Sequence, residues 1–224
     1  YIADTYNHKI RKVAPDGIIS TVAGTGQDGF SGDGGKATEA TLNLPFAVSV
    51  DNEGNLLISD TYNNRIRRVN KSDGTIVTIA GNGSPGAGGD GGAAVNAQLS
   101  QPEGIAMDRN GNLYIADGGN SLVRKVSPDG KISRFAGDGD SSYGGDGGLA
   151  TAAQIGYPVN VLVDKDGSVL IADFFNAVVR RVALNGRIST VFGNFNGGTE
   201  EGIAPRGYRL LSAVGLALDA AGNL

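Results

Sequence analysis

The chain has 224 residues, 37 of them glycine and none of them cysteine, and its formal net charge is −4. Nucleic acids and anionic membranes are bound through basic surfaces, so this charge disfavours both as partners. The apolar runs fall well short of the ~18 residues that cross a membrane, so no membrane insertion is expected. Without cysteine there are no disulfide bonds and no thiolate chemistry, which fits a cytosolic and an exported protein equally.

A strand-like Ile-Ala-Asp or Ile-Ser-Asp step recurs four times, at spacings of 56, 57 and 56 residues. Its aspartates are Asp4, Asp60, Asp117 and Asp173. If residues 223–224 were followed by residues 1–4, the joined run would repeat residues 112–117 letter for letter. A repeat that is cut in phase with itself predicts that both termini belong to one structural unit of a ring.

Each repeat predicts four short antiparallel strands. The first repeat is divided, because its first strand is predicted at 215–219 and its other three between 1 and 24. The predicted units are 213–224 with 1–24, 45–81, 102–137 and 158–193. The third unit has an Asn-Gly turn after its first strand and a Pro-Asp-Gly turn before its last. Its strands are predicted at 104–108, 113–117, 122–126 and 131–137.

Four antiparallel strands that repeat at a fixed period predict an all-β β-propeller, in which each four-stranded sheet is one blade. The chain would then have four blades, with one blade shared between the N- and C-termini. A solenoid is the alternative, but its units typically carry one or two strands or helices rather than a four-stranded meander. The glycines fit the propeller because they recur at turns between apolar runs.

Three runs carry a family resemblance: residues 60–69, 102–108 and 111–117 resemble NHL repeats, and the match covers nearly the whole chain. Gly-Asp-Gly-Gly insertions in the long loops are similar to those of bacterial NHL-repeat proteins. The resemblance implies a β-propeller whose family members commonly have six blades. The four repeats would therefore form a four-bladed ring, part of a larger ring completed by a homo-oligomer, or an excerpt of a longer array.

Residues that recur in all four copies are expected to hold each blade together. Besides the four aspartates they are Asn7, Asn63, Asn120 and Asn176, and Arg11, Arg67, Arg124 and Arg180. We expect the Asp and Asn side chains to cap a tight turn by bonding local backbone N–H groups. The arginines are expected to neutralise acidic turn residues and to cover open sheet edges. Metal ligation by the Asp and Asn pairs and phosphate binding by the arginines are the functional alternatives.

Three long loops contain the run Gly-Asp-Gly-Gly, whose acidic residues are Asp33, Asp90 and Asp146. Calcium binds oxygen ligands in glycine-rich loops, but each loop offers only one or two carboxylates and lacks a closing Glu. We therefore expect each Asp to cap the short helix that follows it, as at 37–42 and 150–155. No bound cofactor or metal is expected, and calcium is the alternative.

Residues that differ between copies mark a candidate binding surface. Because strand direction alternates, the entry to strand one, the turn after strand two and the long loop are expected at the same face of the ring. The variable positions chosen there are Phe46, Glu103, Asn160, Tyr6, Tyr62, Phe174 and Phe175. Exposed aromatic side chains on a rigid scaffold suit the recognition of a partner. The structural alternative is that these aromatics only pack against the long loops.

The sequence offers few candidate catalytic residues. The sole histidine, His8, replaces a turn residue and is expected to face solvent, whereas a catalytic zinc uses about three protein ligands. A calcium site like that of lactonase-type propellers would rest on Glu103 and Asn160. We therefore predict a non-enzymatic binding or scaffold protein, extracellular or periplasmic, whose partner is a protein or a carbohydrate. A hydrolase or lyase with a calcium-assisted site in the central channel is the alternative.

Overall fold

The computed structural model describes residues 1–193, 213–219 and 223–224. Their regular structure consists of fifteen strands and six three-residue 3-10 helices, so the predicted all-β class is confirmed. The chain divides into two compact units. One is Tyr1–Leu113 with Val126–Ser133, and the other is Tyr114–Lys125 with Arg134–Leu224. Within the described part of the chain, no helix has the length and apolarity needed to cross a membrane.

The N-terminal sheet contains three strands. They are β1 (Ile2–Asp4), β2 (Lys9–Val13) and β3 (Ile19–Ala23), paired antiparallel in chain order. A fourth strand was predicted at 215–219, but residues 213–219 lie in no strand. Residues 220–222 of the same predicted unit lie outside the described residues. A blade shared between the termini therefore stays a prediction.

Three further sheets contain four strands each, in the consecutive order that the sequence predicts. The second sheet is β4 (Val48–Val50), β5 (Leu56–Asp60), β6 (Arg65–Val69) and β7 (Ile76–Ala80). The third is β8 (Pro102–Met107), β9 (Leu113–Asp117), β10 (Leu122–Val126) and β11 (Ile132–Ala136). The fourth is β12 (Pro158–Val163), β13 (Val169–Asp173), β14 (Val178–Val182) and β15 (Ile188–Phe192). Register slips by one residue between the third and fourth strands of the second and fourth sheets, as in a β-bulge.

Two sets of 3-10 helices punctuate these sheets. One set follows the second strand of a sheet, at Thr5–Asn7, Thr61–Asn63 and Gly118–Asn120. The other follows the Gly-Asp-Gly-Gly loops, at Ala37–Glu39, Ala94–Asn96 and Ala150–Ala152. None of the six has a hydrogen bond from a capping side chain, so the predicted Asp caps are wrong at both kinds of turn.

Each compact unit has its own apolar core, built from the inward-facing residues of its strands. In the first unit the cluster consists of Ile10, Ala23, Ala37, Ala40, Leu42, Leu56, Ile58, Val69 and Ile76. In the second unit it consists of Val159, Leu170, Ala172, Val179 and Ala213. The 3-10 helix Ala37–Glu39 contributes Ala37 to the first core, so the long loop is packed down rather than left open.

A buried arginine bridges two carboxylates in the second sheet. Arg67 has no exposed surface. Its Nη1 donates to Asp60 Oδ2 at 3.1 Å, while Nε and Nη2 donate to Asp33 Oδ1 at 3.0 and 2.7 Å. The carbonyl of Ser31 accepts a further bond of 3.0 Å from Nη2. The Asp of the glycine-rich loop therefore neutralises a buried cation instead of capping a helix.

The fourth sheet repeats this arrangement. Arg180, also without exposed surface, donates from Nε and Nη2 to Asp146 Oδ1 at 3.1 and 2.7 Å. Its Nη1 lies 3.7 Å from Asp173 Oδ2. Arg124 is equally buried and pairs with Asp117 at 3.4 Å. The expectation that these arginines neutralise acidic residues is correct, but the expectation that they cover exposed edges is wrong, because all three lie in the interior.

Asp60 and Asp173 also accept hydrogen bonds from an asparagine side chain and from a backbone N–H group that is distant in the sequence. Asn63 Nδ2 donates to both oxygens of Asp60 at 2.9 Å, and the Asn43 N–H donates to Oδ1 at 2.7 Å. Asn176 and the Gly156 N–H bond Asp173 in the same way. Burial raises the pKa of Asp60, and it raises the pKa of Asp173 to about 6, even though these hydrogen bonds and Arg180 favour the charged form.

Replacing Asp60 by Ala should lower the free energy of unfolding by about 3 kcal/mol, because it removes one partner of a fully buried guanidinium. Urea unfolding monitored by circular dichroism measures the change. Asp4→Ala is the matched control, since Arg11 and Asp4 form the equivalent pair but are each about a quarter exposed at the side chain. The control should lose much less stability. Equal losses in the two variants would show that burial of the pair does not matter.

The raised pKa of Asp173 predicts a pH-dependent contribution to stability. The native state keeps a proton on Asp173 up to about pH 6, whereas the unfolded chain releases it near 3.8, the ordinary pKa of an aspartate. This contribution is therefore present below pH 3.8 and is lost as pH rises through 6. From pH 4 to pH 7, wild-type stability should fall by about 2 kcal/mol relative to Asp173→Asn, since one pKa unit corresponds to about 1.4 kcal/mol and the unfolded carboxyl is already partly ionised at pH 4.

Urea unfolding of both proteins across this pH range tests the prediction. Asp146→Asn is the control: hydrogen bonding from Thr190 and the Arg180 charge outweigh burial and lower the pKa of Asp146. The difference in unfolding free energy between Asp146→Asn and the wild type should stay constant between pH 5 and pH 7 and change only in stronger acid. A constant difference for Asp173→Asn would mean that Arg180 keeps Asp173 ionised throughout.

Candidate functional site

In the first compact unit, three of the predicted site residues are exposed aromatics. Tyr6 and Tyr62 occupy equivalent 3-10 turns after β1 and β5, and they are 88% and 55% exposed. Phe46 precedes β4 and is 36% exposed. Side chains of this size on the surface of a turn offer apolar contact area to a partner.

The turn that carries Tyr62 is held by polar contacts on several sides. The Tyr62 N–H donates to the Asn43 carbonyl at 3.1 Å, and Thr61 Oγ1 donates to the Pro102 carbonyl at 2.8 Å. Asn63 Nδ2 donates to the Gly29 carbonyl at 2.7 Å. The tyrosine ring therefore projects from a backbone that is tied to the preceding long loop and to β8.

Glu103 differs from these aromatics because it is buried, with 7% of its surface exposed. It lies near the start of β8, and the Ser59 hydroxyl donates a hydrogen bond to its backbone carbonyl. Its predicted place among the exposed contact residues of the first unit does not agree with this burial. Its assignment to the site stays a prediction.

In the second compact unit, the two predicted phenylalanines lie in the turn after β13. Phe175 is 59% exposed, and its ring centroid lies 5.2 Å from that of Tyr157 and 5.7 Å from that of Phe174. Phe174 is half-buried and packs against the apolar core of this unit. Phe174 therefore packs against the core of the unit rather than against a long loop, whereas Phe175 is largely exposed.

Asn160 lies in β12, where it is half-buried and pairs with Ala172 across the sheet. The register shifts between Pro158 and Asn160, next to the turn that carries Phe174 and Phe175. That turn is anchored by Asp173, which accepts the Gly156 N–H at 2.8 Å and whose pKa burial raises to about 6. The Phe175 N–H donates to the Gly156 carbonyl at 2.9 Å, so the aromatic turn and the buried carboxylate share one segment of backbone.

His8 does not simply face solvent as the sequence suggested. It is half-buried, and its Nδ1 accepts a 3.2 Å hydrogen bond from the Leu44 N–H. In the next copy Asn64 Oδ1 accepts a 2.9 Å bond from the Gln101 N–H. Both acceptors have positive φ, as do both donor residues. His8 therefore serves as a backbone acceptor, the role that Asn64 has in its own turn.

Metal ligation receives little support from the described residues. None of them form a group of three or more His, Cys, Asp or Glu side chains placed to hold an ion. At Asp33 and Asp146, the carboxylate that calcium would need is bonded to the guanidinium of Arg67 or Arg180.

Sequence reasoning missed the partners of the loop aspartates and the role of Tyr157. One signal was available: the separation from the loop Asp to the buried Arg is 34 residues both for Asp33 and Arg67 and for Asp146 and Arg180. An ion pair that recurs in each copy of a repeat keeps the same sequence separation between its acidic and basic residues. Tyr157 carried no such signal, because its contact with Phe175 depends on a positive φ of 52°.

A family model described as "Teneurin NHL domain" matches residues 83–141. Protein SUPPRESSOR OF QUENCHING 1, chloroplastic, from Arabidopsis thaliana is 35% identical over 133 residues, 56% of this chain and 12% of that protein. Teneurin-3 from Mus musculus is 28% identical over 211 residues, 86% of this chain and 7% of that protein. NHL repeat-containing protein 2 from Bos taurus is 28% identical over 212 residues, 81% of this chain and 29% of that protein. The chain thus spans less than a third of each relative.

Solved structures with a similar fold have varied descriptions. A putative phosphatase from Bacteroides thetaiotaomicron superposes with a TM-score of 0.66 at 15% identity, covering 98% of this chain and 51% of that one. An auxiliary nutrient binding protein from Bacteroides ovatus gives 0.61 at 17% identity, covering 94% and 54%. Virginiamycin B lyase from Staphylococcus aureus gives 0.53 at 15% identity, covering 84% and 50%.

At these identities the similarity to solved structures shows the fold alone. The sequence matches extend across the repeats of this chain as well. The chain is thus similar to NHL-repeat proteins, and its consecutive antiparallel sheets are of the type that form β-propeller blades.

Proposed function

We propose that this chain is a non-enzymatic binding or scaffold module that recognises a protein or a carbohydrate through its exposed turn aromatics. The observation that carries the proposal is the exposure of Tyr6, Tyr62 and Phe175 on equivalent turns, of which those of Tyr62 and Phe175 are anchored by a buried aspartate. Exposed aromatic rings have no role in the apolar cores, and they supply the large contact area that partner recognition uses. The loop-rich face and an extracellular or periplasmic location, in a bacterial type of NHL protein, are part of this proposal.

The enzymatic alternative is a hydrolase or lyase with a calcium-assisted site. A lyase is among the structural neighbours, but so is a protein described as nutrient binding, and one fold hosts many activities. The side chains give more support to the binding module. Glu103 is buried and Asn160 is half-buried, so the two residues on which the calcium site would rest are less available than the aromatics.

The proposal includes the assembly of the four sheets as blades of one β-propeller. In that arrangement residues 215–219 would add a fourth strand beside β1 and complete the N-terminal sheet, either within one chain or in a homo-oligomer. Amide hydrogen exchange is the measurement. Protection at 215–219 comparable to that of β1 is the expected result, and exchange at the rate of an unstructured segment would contradict the shared blade.

Tyr62→Ala should weaken binding of the partner by about 2 kcal/mol while leaving the unfolding midpoint unchanged, because an aromatic anchor at an interface costs about that much when truncated. A glycan array and a cross-linking pull-down identify the partner, and biolayer interferometry then measures the affinity. Tyr1→Ala is the matched control, since Tyr1 is a similarly exposed tyrosine, 51%, that lies outside the turns.

Phe174→Ala should behave differently and lower stability, because Phe174 packs against the core of its unit. Normal affinity in Tyr62→Ala would remove the turn aromatics from the binding site. Calcium-dependent turnover of a lactone by the wild-type chain would instead support the enzymatic alternative.

A further inference from the structure

A groove of about 620 Å³ lies within the first compact unit, and its lining includes none of the exposed turn aromatics. One wall is the face of the second sheet that carries Arg68, Val77 and Ile79. The other contains Met107, Leu113 and the turn at Pro128. Small-molecule sites commonly have volumes of about 300 to 1,000 Å³ and combine an apolar lining with a few polar groups.

Arg68 is the cation of this groove, and comparison with its equivalent in the fourth sheet shows that it lacks a counterion. Arg181 donates from Nη2 to Asp166, from Nε to Ser168 Oγ at 2.8 Å, and lies 3.9 Å from Asp164. Arg68 donates from Nε to Asn70 Oδ1 at 3.1 Å. Among residues 1–193, 213–219 and 223–224 no carboxylate lies within 4.0 Å of Arg68, and its two terminal nitrogens have no hydrogen-bond partner.

The acidic residues that would neutralise Arg68 are engaged by Asn55. Asp51 and Glu53 stand where the fourth sheet has Asp164 and Asp166, but Asn55 Nδ2 donates to both of them, at 2.8 and 3.2 Å. Asp51 also accepts the backbone N–H groups of Glu53 and Asn55. The fourth sheet has Ser168 in place of Asn55, and its hydroxyl accepts from Arg181 instead. The change from Ser168 to Asn55, together with Glu53 in place of Asp166, therefore leaves the guanidinium of Arg68 available.

The other acidic residue of the groove is also engaged. Asp129 accepts from the Ser127 hydroxyl and pairs with Lys131 at 3.2 Å. Among the lining residues that the structure describes, the groove therefore holds one available cation, Arg68, within a rim of carboxylates. A rim of this sign repels ligands that carry several negative charges and tolerates a single one that sits on the guanidinium.

We propose that this groove binds an amphipathic monocarboxylate, a small molecule with one carboxylate and an apolar body. The carboxylate accepts from the two terminal nitrogens of Arg68, whose planar fork matches a carboxylate in bidentate geometry. The apolar body lies along Val77, Ile79 and Met107. Val77 is the register partner of Arg68 on the adjacent strand, so the cation and the apolar wall share one face of the sheet.

Titration with octanoate, and with octanamide as its uncharged twin, tests the proposal by following the backbone amide NMR signals of the folded chain. Octanoate should bind saturably and shift the signals of residues 68, 77 and 107, whereas octanamide should bind at least about tenfold more weakly, since it lacks the charge. Arg68→Met should weaken octanoate binding by at least about tenfold, and Arg181→Met, the matched control, should leave it unchanged.

A second variant keeps the test valid if Arg68→Met is unstable. Val77→Glu places a carboxylate opposite Arg68 and supplies the counterion that Arg181 already has, so it should abolish octanoate binding while the arginine remains. Saturable binding that is equal for octanoate and octanamide, or unchanged in both variants, would overturn the proposal, as would the absence of octanoate binding to the wild type. Tyr62→Ala should leave octanoate binding unchanged. A failure of the groove proposal can therefore be told apart from a failure of the proposed function.

Discussion

The structure depends on the burial of an arginine side chain that cannot lose its charge. A guanidinium without exposed surface is stable only when carboxylates and carbonyls take up its donors. Arg67 meets this requirement with one carboxylate from its own sheet and one from a loop 34 residues earlier. The same side chain therefore ties the long glycine-rich loop to the sheet that follows it, and Arg180 repeats the arrangement in the fourth sheet.

The turns that carry the exposed aromatics are a consequence of this network. Asp60 accepts from Arg67, Asn63 and the Asn43 N–H at once, so the residues between Asp60 and Asn63 have little freedom. Tyr62 projects from this turn, and its equivalent Tyr6 projects from a turn whose Asp4 accepts from Asn7 and Arg11 in a more exposed setting. An invariant polar anchor below a variable aromatic allows each copy of the repeat to change its surface without changing its backbone.

Small differences between copies separate the structural role of a position from its chemistry. His8 and Asn64 both accept a backbone N–H, so the imidazole is used for its acceptor nitrogen. Asn55 and Ser168 occupy equivalent turns, yet the amide takes both neighbouring carboxylates while the hydroxyl leaves them to Arg181. The relatives and structural neighbours share the repeat and the fold but have varied descriptions, so such differences are where function must be sought.

The strands of the second, third and fourth sheets and their consecutive order could be predicted from the sequence. Strands at 113–117 and 122–126 were placed at the observed bounds, because alternation and turn residues act between neighbours in the chain. The burial of Glu103, the interior position of Arg67 and the role of His8 required the tertiary structure. Each depends on which loop packs against which sheet, a contact between residues some 34 to 44 positions apart that no local pattern encodes.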